Sequence, residues 1–156
     1  MKQNYLNSET NPDYPYDSYK SYDNIPCNVN IKFYRCDSCG RIMASIEEIT
    51  NPLICCGDAL RPLTPGTVDA SIERHVPIYT RTGHKVIVTV GELEHPMLEA
   101  HHIEWICLVT NLGIQWHPLA FDDNPSTVFR VKGGEAVLAV YAYCNLHGLW
   151  CCQECT

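Results

Sequence analysis

Four cysteines in the first half of the chain have the spacing of a metal site. Cys36 and Cys39 form a Cys-x-x-Cys turn, and the adjacent pair Cys55 and Cys56 follows after fifteen residues. The turn lets two thiolates converge on one ion, and a second pair completes a tetrahedral sulfur site suited to zinc or iron. Because neighbouring side chains tend to point apart, the adjacent pair is expected to distort the tetrahedron. The spacing does not distinguish zinc from iron, and two structural disulfides are the alternative.

A second set of candidate ligands lies in the remainder of the chain. It consists of histidines in loops or at strand edges, with one cysteine near the end: His75, His95, His101, His102, Cys144 and His147. Imidazoles combined with one thiolate suit a redox-active iron or copper ion. Loops at one end of a sandwich converge, so distant residues can form one site there. On a strand His101 and His102 would point to opposite faces, so only one of them is expected to reach a common ion.

The elements that must position these residues are predicted to be β-strands. Apolar runs rich in β-branched residues and bounded by turn residues are typical of a sandwich, and they occur at 85–90, 103–110, 128–131 and 136–143. By periodicity alone the last run could be a buried helix, but the preceding Gly133-Gly134 and its aromatic residues favour a strand. Two shorter strands are predicted around the first cysteines, at 31–35 and 41–49.

The chain is predicted to divide into three parts. Residues 1–30 are rich in Asn, Asp, Ser, Pro and Tyr, show no periodicity, and are expected to be a poorly ordered extension. Residues 31–66 form a four-cysteine unit, which is too short to bury a sufficient core without a metal or disulfides. Residues 67–156 form the sandwich that carries the histidines.

Composition excludes several classes of function. The 156 residues include 18 acidic and 11 basic side chains, and a net charge of −7 argues against a nucleic-acid partner. No apolar run approaches the ~20 residues that span a bilayer. The first thirty residues lack the apolar stretch of a secretory signal, so we expect a cytoplasmic protein. In that setting ten cysteines and seven histidines favour thiolate metal sites over a disulfide scaffold.

Both sets of residues, in this order, resemble the desulfoferrodoxin family, the two-iron class of superoxide reductases. The resemblance covers about residues 31–151. The four-cysteine pattern is similar to the desulforedoxin-like domain of that family, which binds iron in a distorted four-sulfur site. The second set resembles the family's catalytic site, where four histidines lie roughly in a plane around iron and one cysteine binds axially. The resemblance implies an all-β fold, with a small metal-held desulforedoxin-like domain followed by an immunoglobulin-like β-sandwich.

The resemblance also implies a role for individual residues. The four histidine positions and the axial thiolate fall on His75, His95, His101, His147 and Cys144. The family's six-residue spacing after His95 selects His101 over His102. Glu73 matches a loop glutamate that can occupy the sixth iron position after oxidation. Arg74 stands where the family usually has lysine, which retains a positive charge to attract an anion, although a guanidinium does not readily donate a proton at neutral pH.

The activity implied by the resemblance is the one-electron reduction of superoxide to hydrogen peroxide at this iron, with iron or zinc in the four-cysteine site. The implied partners are superoxide, a small electron-donor protein such as rubredoxin, and a second copy in a homodimer. Two alternatives remain open: a non-catalytic electron carrier that uses only the four-cysteine iron centre, and a zinc-stabilised binding or sensor module. Cys107 is expected to be buried in the core, and no role is assigned to Cys27, Cys151, Cys152 and Cys155.

Overall fold

A computed structural model describes residues 31–47, 49–68 and 70–152 of the chain. In these ranges the chain is almost entirely β. Its strands are β1 (Lys32–Arg35), β2 (Ile42–Ser45), β3 (Ile54–Cys55), β4 (Asp58–Ala59), β5 (Arg61–Leu63), β6 (Pro77–Thr82), β7 (Lys85–Val90), β8 (Ile103–Thr110), β9 (Gly113–Pro118), β10 (Ser126–Arg130), β11 (Val137–Cys144) and β12 (Gly148–Cys151). A single helical turn, α1 (Ile72–His75), precedes β6. The predicted extension 1–30 lies outside the described residues.

Seven strands form a sandwich of two antiparallel sheets. One sheet has the order β10-β7-β6 and the other the order β12-β11-β8-β9. Along β7 the side chains alternate between the core and solvent, so Val86 and Val88 point inward. They meet Ile106, Leu108 and Val140 of the other sheet in one apolar core. The architecture confirms the predicted all-β fold with an immunoglobulin-like sandwich.

The four-stranded sheet is buried on its other face as well. That face packs against β1, whose Phe33 is 1% exposed and contacts three aromatic rings with centroids 5.0–5.7 Å away: Trp105, Trp116 and Tyr141. At the edge of this contact Arg35 donates a hydrogen bond to the Glu104 carboxylate at 3.2 Å. The sheet β2-β1-β5 therefore shares an apolar core with the sandwich. Burial on both faces explains why the predicted strands 103–110 and 136–143 are nearly continuous apolar runs.

Strands with strong apolar runs were predictable. The predicted runs 85–90 and 103–110 coincide with β7 and β8, and 136–143 is strand β11, displaced by one residue. The predicted run 41–49 is too long, because β2 ends at Ser45, where the Ser45 hydroxyl hydrogen-bonds the backbone of Glu47 and the chain bends. The strands β6, β9 and β12 lie at sheet edges and were not predicted from the sequence.

Within the described residues, no helix has the length and apolar character that crossing a membrane requires.

Candidate metal centres

Four imidazole rings form a near-square at one end of the sandwich. Consecutive ring centroids are 4.7–4.8 Å apart around the circuit His75, His95, His101, His147, and consecutive ring planes meet at 77–87°. Across the square, the centroids of His75 and His101 are 6.1 Å apart. The buried Cys144 sulfur lies 3.6 Å from Nδ1 of His147. The candidate ligand atoms of all five residues lie within 4.8 Å of one another.

These five residues come from four separate segments. His95 follows β7, His101 precedes β8, Cys144 is the last residue of β11, and His147 is in the turn before β12. His75 was expected in a loop or at a strand edge, but it ends the helical turn α1 instead. The ends of strands that pair in register therefore bring together residues that are up to 72 positions apart.

The tautomers of two histidines are fixed by backbone carbonyls. Nδ1 of His75 donates to the Ser71 carbonyl at 2.7 Å, and Nδ1 of His95 donates to the Pro96 carbonyl at 2.6 Å. Each therefore turns an unprotonated Nε2 toward the square. Among the described residues, the buried Nε2 atoms of His95 and His101 have no hydrogen-bond partner. A buried polar atom without a partner requires an explanation, and converging imidazole lone pairs are a donor set for a metal ion.

Burial favours the uncharged form of three of these imidazoles. It lowers the pKa of His95 to about 4, and it lowers the pKa values of His75 and His101 as well. Burial raises the pKa of the Cys144 thiol, although the backbone N–H groups of His147 and the residue before it oppose this. The site thus offers neutral nitrogens and a thiol whose deprotonation a bound cation would favour.

The four predicted cysteines form a second group. The sulfur atoms of Cys36, Cys39, Cys55 and Cys56 lie within 4.8 Å of one another, and the Cys55 sulfur is 3.7 Å from that of Cys39 and 3.9 Å from that of Cys56. The expectation that the adjacent thiols point apart is wrong at this position. Cys55 pairs with Asp58, so Cys56 and Gly57 are the two turn residues of a hairpin, with φ of 54° and 90°. This left-handed turn folds the adjacent side chains to the same side.

The thiols of this second group differ in acidity. The Arg41 backbone N–H and the neighbouring thiols lower the pKa of Cys39 to about 7. Cys39 and the other thiols raise the pKa of Cys56 to about 12. The Cys39 thiol therefore ionises more readily than the Cys56 thiol, and a bound cation would favour the thiolate form of both.

Comparison with known proteins identifies the family. The desulfoferrodoxin family model matches residues 67–153. A desulfoferrodoxin of Syntrophotalea carbinolica is 40% identical over 120 residues, which cover 77% of this chain and 94% of the relative. The chain belongs to the desulfoferrodoxin family. A desulfoferrodoxin homolog of Archaeoglobus fulgidus is 37% identical over 120 residues, with 77% of this chain and 94% of the relative covered.

A solved structure extends the comparison to the fold. The crystal structure of the superoxide reductase from Treponema pallidum superposes with a TM-score of 0.70 at 35% sequence identity, covering 78% of this chain and 97% of that one. The family implies iron and oxidoreductase chemistry, and this neighbour supports a function of the superoxide reductase type. The five-residue and four-cysteine groups are the two places in the described part of this desulfoferrodoxin-family chain where such a metal could bind.

Hydrogen bonds to backbone carbonyls connect α1 to the loop that carries His95. Leu93 N–H donates to the Glu73 carbonyl at 2.9 Å, and the Arg74 guanidinium donates to the Glu94 carbonyl at 3.0 Å. Gly91 makes this approach possible: its φ is +85°, and a Cβ there would lie 2.4 Å from the Leu93 oxygen and 2.7 Å from the Arg74 oxygen. The sequence did not indicate this role of Gly91, because the close approach depends on tertiary structure.

Glu73 and Arg74 are both exposed in α1, immediately before His75. The Glu73 carboxylate accepts a hydrogen bond from the Ser71 hydroxyl at 2.7 Å, which together with its own backbone N–H lowers its pKa. The guanidinium of Arg74 is held against the neighbouring loop by its hydrogen bond to Glu94. Both side chains are therefore at the surface beside the square.

Trp150 is a site residue that the sequence did not indicate. It is 3% exposed, and its ring stacks on His75 with centroids 4.8 Å apart and planes 25° apart. Its indole N–H donates to the His147 carbonyl at 3.1 Å. One side chain thus contacts two members of the square, and the signal available in the sequence was a tryptophan three residues after His147.

The other histidines and cysteines of the described residues lie outside both groups. His84 and His102 have backbone partners for Nδ1, the carbonyls of Val131 and Leu98 respectively. Cys107 is fully buried, as predicted, and burial raises its pKa to about 12. Cys152 is buried in the sandwich core and Cys151 is half-buried in β12, while Cys27 and Cys155 lie outside the described residues.

Proposed function

We propose that this chain is a superoxide reductase that converts superoxide to hydrogen peroxide by one-electron reduction at a mononuclear iron. The proposed ligands are His75, His95, His101, His147 and Cys144. The observation that supports this proposal most directly is the near-square of imidazoles, in which two buried Nε2 atoms have no hydrogen-bond partner among the described residues. Four imidazole nitrogens and one thiolate suit redox-active iron. The relative solved from Treponema pallidum carries the same activity in its name.

Iron bound by these residues would supply the electron that superoxide takes up. Superoxide gains one electron and two protons to become hydrogen peroxide, so solvent must reach the site to supply the protons. The carbonyls of Ser71 and Pro96 keep two imidazoles in the tautomer that presents Nε2. The thiolate of Cys144 is stabilised by backbone N–H groups in its own turn.

Arg74 and Glu73 are proposed to act at the rim of the site. The net charge of −7 repels an anion at long range, but a local cation can still concentrate superoxide near the open position. Arg74, anchored on the Glu94 carbonyl, is the proposed cation. Glu73 is the residue proposed to bind the iron after oxidation, and the Ser71 hydroxyl engages only Oε2 of its carboxylate.

The four-cysteine group is proposed to hold iron or zinc and, with iron, to relay electrons from a small donor protein such as rubredoxin. In this proposal residues 31–66 form the metal domain, residues 67–156 form the catalytic domain, and the chain acts in the cytoplasm as a homodimer without nucleic-acid or membrane partners. The shared core around Phe33 is compatible with this division, because it joins the two parts through side chains rather than through a continuous sheet.

Metal analysis separates the proposal from its alternatives. Anaerobically purified protein should contain iron in the five-ligand site, which after oxidation should give its own thiolate-to-iron absorption band, separate from any bands of iron in the four-cysteine site. Cys144→Ser should abolish that band, and survival of the band would show that Cys144 is not a ligand. A colourless protein with zinc in both sites, after expression with sufficient iron, would favour the sensor module. An electron carrier would hold iron in the four-cysteine site alone.

The role of Arg74 has a matched control. Arg74→Glu should slow the second-order reaction with superoxide and change its dependence on ionic strength. Lys85→Glu changes the charge by the same amount at the opposite end of β7, about 17 Å from Val90 along the strand. If both variants react alike at every salt concentration, only net charge matters and Arg74 has no local role.

A further inference from the structure

Asn145, directly after the proposed ligand Cys144, is bonded to the loop that carries His101. Its Oδ1 accepts a hydrogen bond from the His102 backbone N–H at 2.9 Å, and its Nδ2 donates to the Ala100 carbonyl at 3.2 Å. Its own backbone N–H donates to the His102 carbonyl at 3.1 Å. The two residues that flank His101 are therefore both held by one side chain.

The ladder between β11 and β8 is irregular at this point. Tyr143 pairs with Trp105, but the next residue, Cys144, pairs with Ile103, so the register shifts by one residue. Such a bulge leaves groups on one strand unpaired and bends it. Asn145 continues the connection beyond the bulge with one backbone and two side-chain hydrogen bonds. These bonds extend the connection from the last ladder pair, Cys144 with Ile103, to the residues on either side of His101.

His101 depends on this connection more than its neighbours do. Nδ1 of His75 and Nδ1 of His95 each have a carbonyl partner that orients the ring. In the described part of the chain, no such carbonyl bond holds the ring of His101, whose Nε2 is buried without a partner. Its backbone is held by paired hydrogen bonds with Leu98 within its own loop. The position of that loop relative to Cys144 is therefore set from outside the loop.

We infer that Asn145 is a positioning residue for the metal centre: it locks the His101 loop to the Cys144 turn, so that thiolate and imidazole converge on one ion. This rests on the proposed function of the five-ligand site. The side chain at this position must offer one acceptor and one donor to two backbone groups at once. The short, neutral amide of asparagine provides both, with its carbonyl oxygen as acceptor and its NH₂ group as donor. Residues that hold ligands in this way commonly change metal affinity by about 10- to 100-fold when they are removed.

The test uses the full chain loaded with cadmium and observed by cadmium NMR, which gives one resonance for each metal site. Asn145→Ala should shift the resonance of the five-ligand site and lower its cadmium affinity about 10- to 100-fold in a chelator competition. The resonance of the four-cysteine site should not move, so it serves as an internal reference. In the metal-free chain, the His102 backbone N–H should exchange with solvent faster.

Asn111 provides a matched control. Its Oδ1 also accepts a backbone hydrogen bond, from Ala136 N–H at 2.8 Å, but it follows the far end of β8. Asn111→Ala should lower stability without moving either cadmium resonance. If Asn145→Ala does not fold, Asn145→Ser, whose hydroxyl is too short to reach both backbone groups, takes its place with the same expected shift.

The outcomes distinguish this inference from the proposed function. A five-ligand resonance that is present in the unsubstituted chain and unchanged in position and affinity in the folded Asn145 variant overturns the inference alone. The absence of a second cadmium resonance in the unsubstituted chain overturns the proposed metal site and the inference with it.

Discussion

Replacing Gly91 by alanine should disrupt the contact between α1 and the His95 loop. The new Cβ would lie 2.4 Å from the Leu93 oxygen and 2.7 Å from the Arg74 oxygen, and both are backbone atoms that cannot rotate away. A φ of +85° costs alanine about 1–2 kcal/mol. Separating the segments also breaks two backbone hydrogen bonds, from Gly91 N–H and Leu93 N–H, at about 1 kcal/mol each. We therefore expect a loss of about 3–4 kcal/mol.

The assay is urea unfolding of the metal-free chain, combined with the metal affinity of the five-ligand site. Gly83 is the matched control, because its φ is also positive, at +56°, but a Cβ there meets no atom within 4 Å. Gly83→Ala should cost only the backbone term of about 1–2 kcal/mol and leave metal affinity unchanged. If Gly91→Ala costs no more than Gly83→Ala, or leaves metal affinity intact, the close approach does not position His75 and His95.

Three further predictions concern stability. Phe33→Ala should lower the free energy of unfolding by about 3–5 kcal/mol in a urea titration, whereas a loss below about 1 kcal/mol would contradict a shared core. The Lys132 N–H and the Thr110 hydroxyl lower the pKa of Glu135, so the stabilisation by its carboxylate is present above pH 4.5 and disappears as pH falls through the folded-state pKa. Glu135→Gln should therefore lower the free energy of unfolding at pH 7 and lower it progressively less in acid. A difference between the two proteins that does not change with pH would refute this. Trp150→Phe, which keeps the stacking but loses the indole N–H, should cost about 1 kcal/mol, and Trp150→Leu should cost more; equal losses in thermal unfolding would show that stacking contributes nothing.

The spacing of ligand-type residues predicted most of the candidate sites. Cys36-x-x-Cys39 and Cys144-x-x-His147 are short-range patterns, and local turns bring such pairs together without help from the rest of the fold. The square contains His101 rather than His102, as the resemblance to the family implied, whereas the residues alone left the choice between the two open. Strands with β-branched apolar runs were equally predictable, because a strand buried on one or both faces needs apolar residues at its buried positions.

What the sequence did not reveal depends on long-range contacts. Cys56 adopts positive φ because a hairpin forms around it, and cysteine has no intrinsic preference that signals this. Gly91 and Asn145 act through backbone atoms of other segments, and Trp150 acts through its stacking on the ring of His75, so their residue types alone do not indicate these roles. Edge strands such as β9 are largely exposed and have no apolar run to detect.

The most direct test is the reaction of anaerobically reduced, iron-loaded protein with a pulse of superoxide. The account predicts that each superoxide consumed yields one hydrogen peroxide and oxidises one iron of the five-ligand site, with no dioxygen released. Evolution of dioxygen alongside peroxide in equal amounts would indicate dismutation and contradict the proposed reduction, as would iron in that site that stays reduced after superoxide has been added.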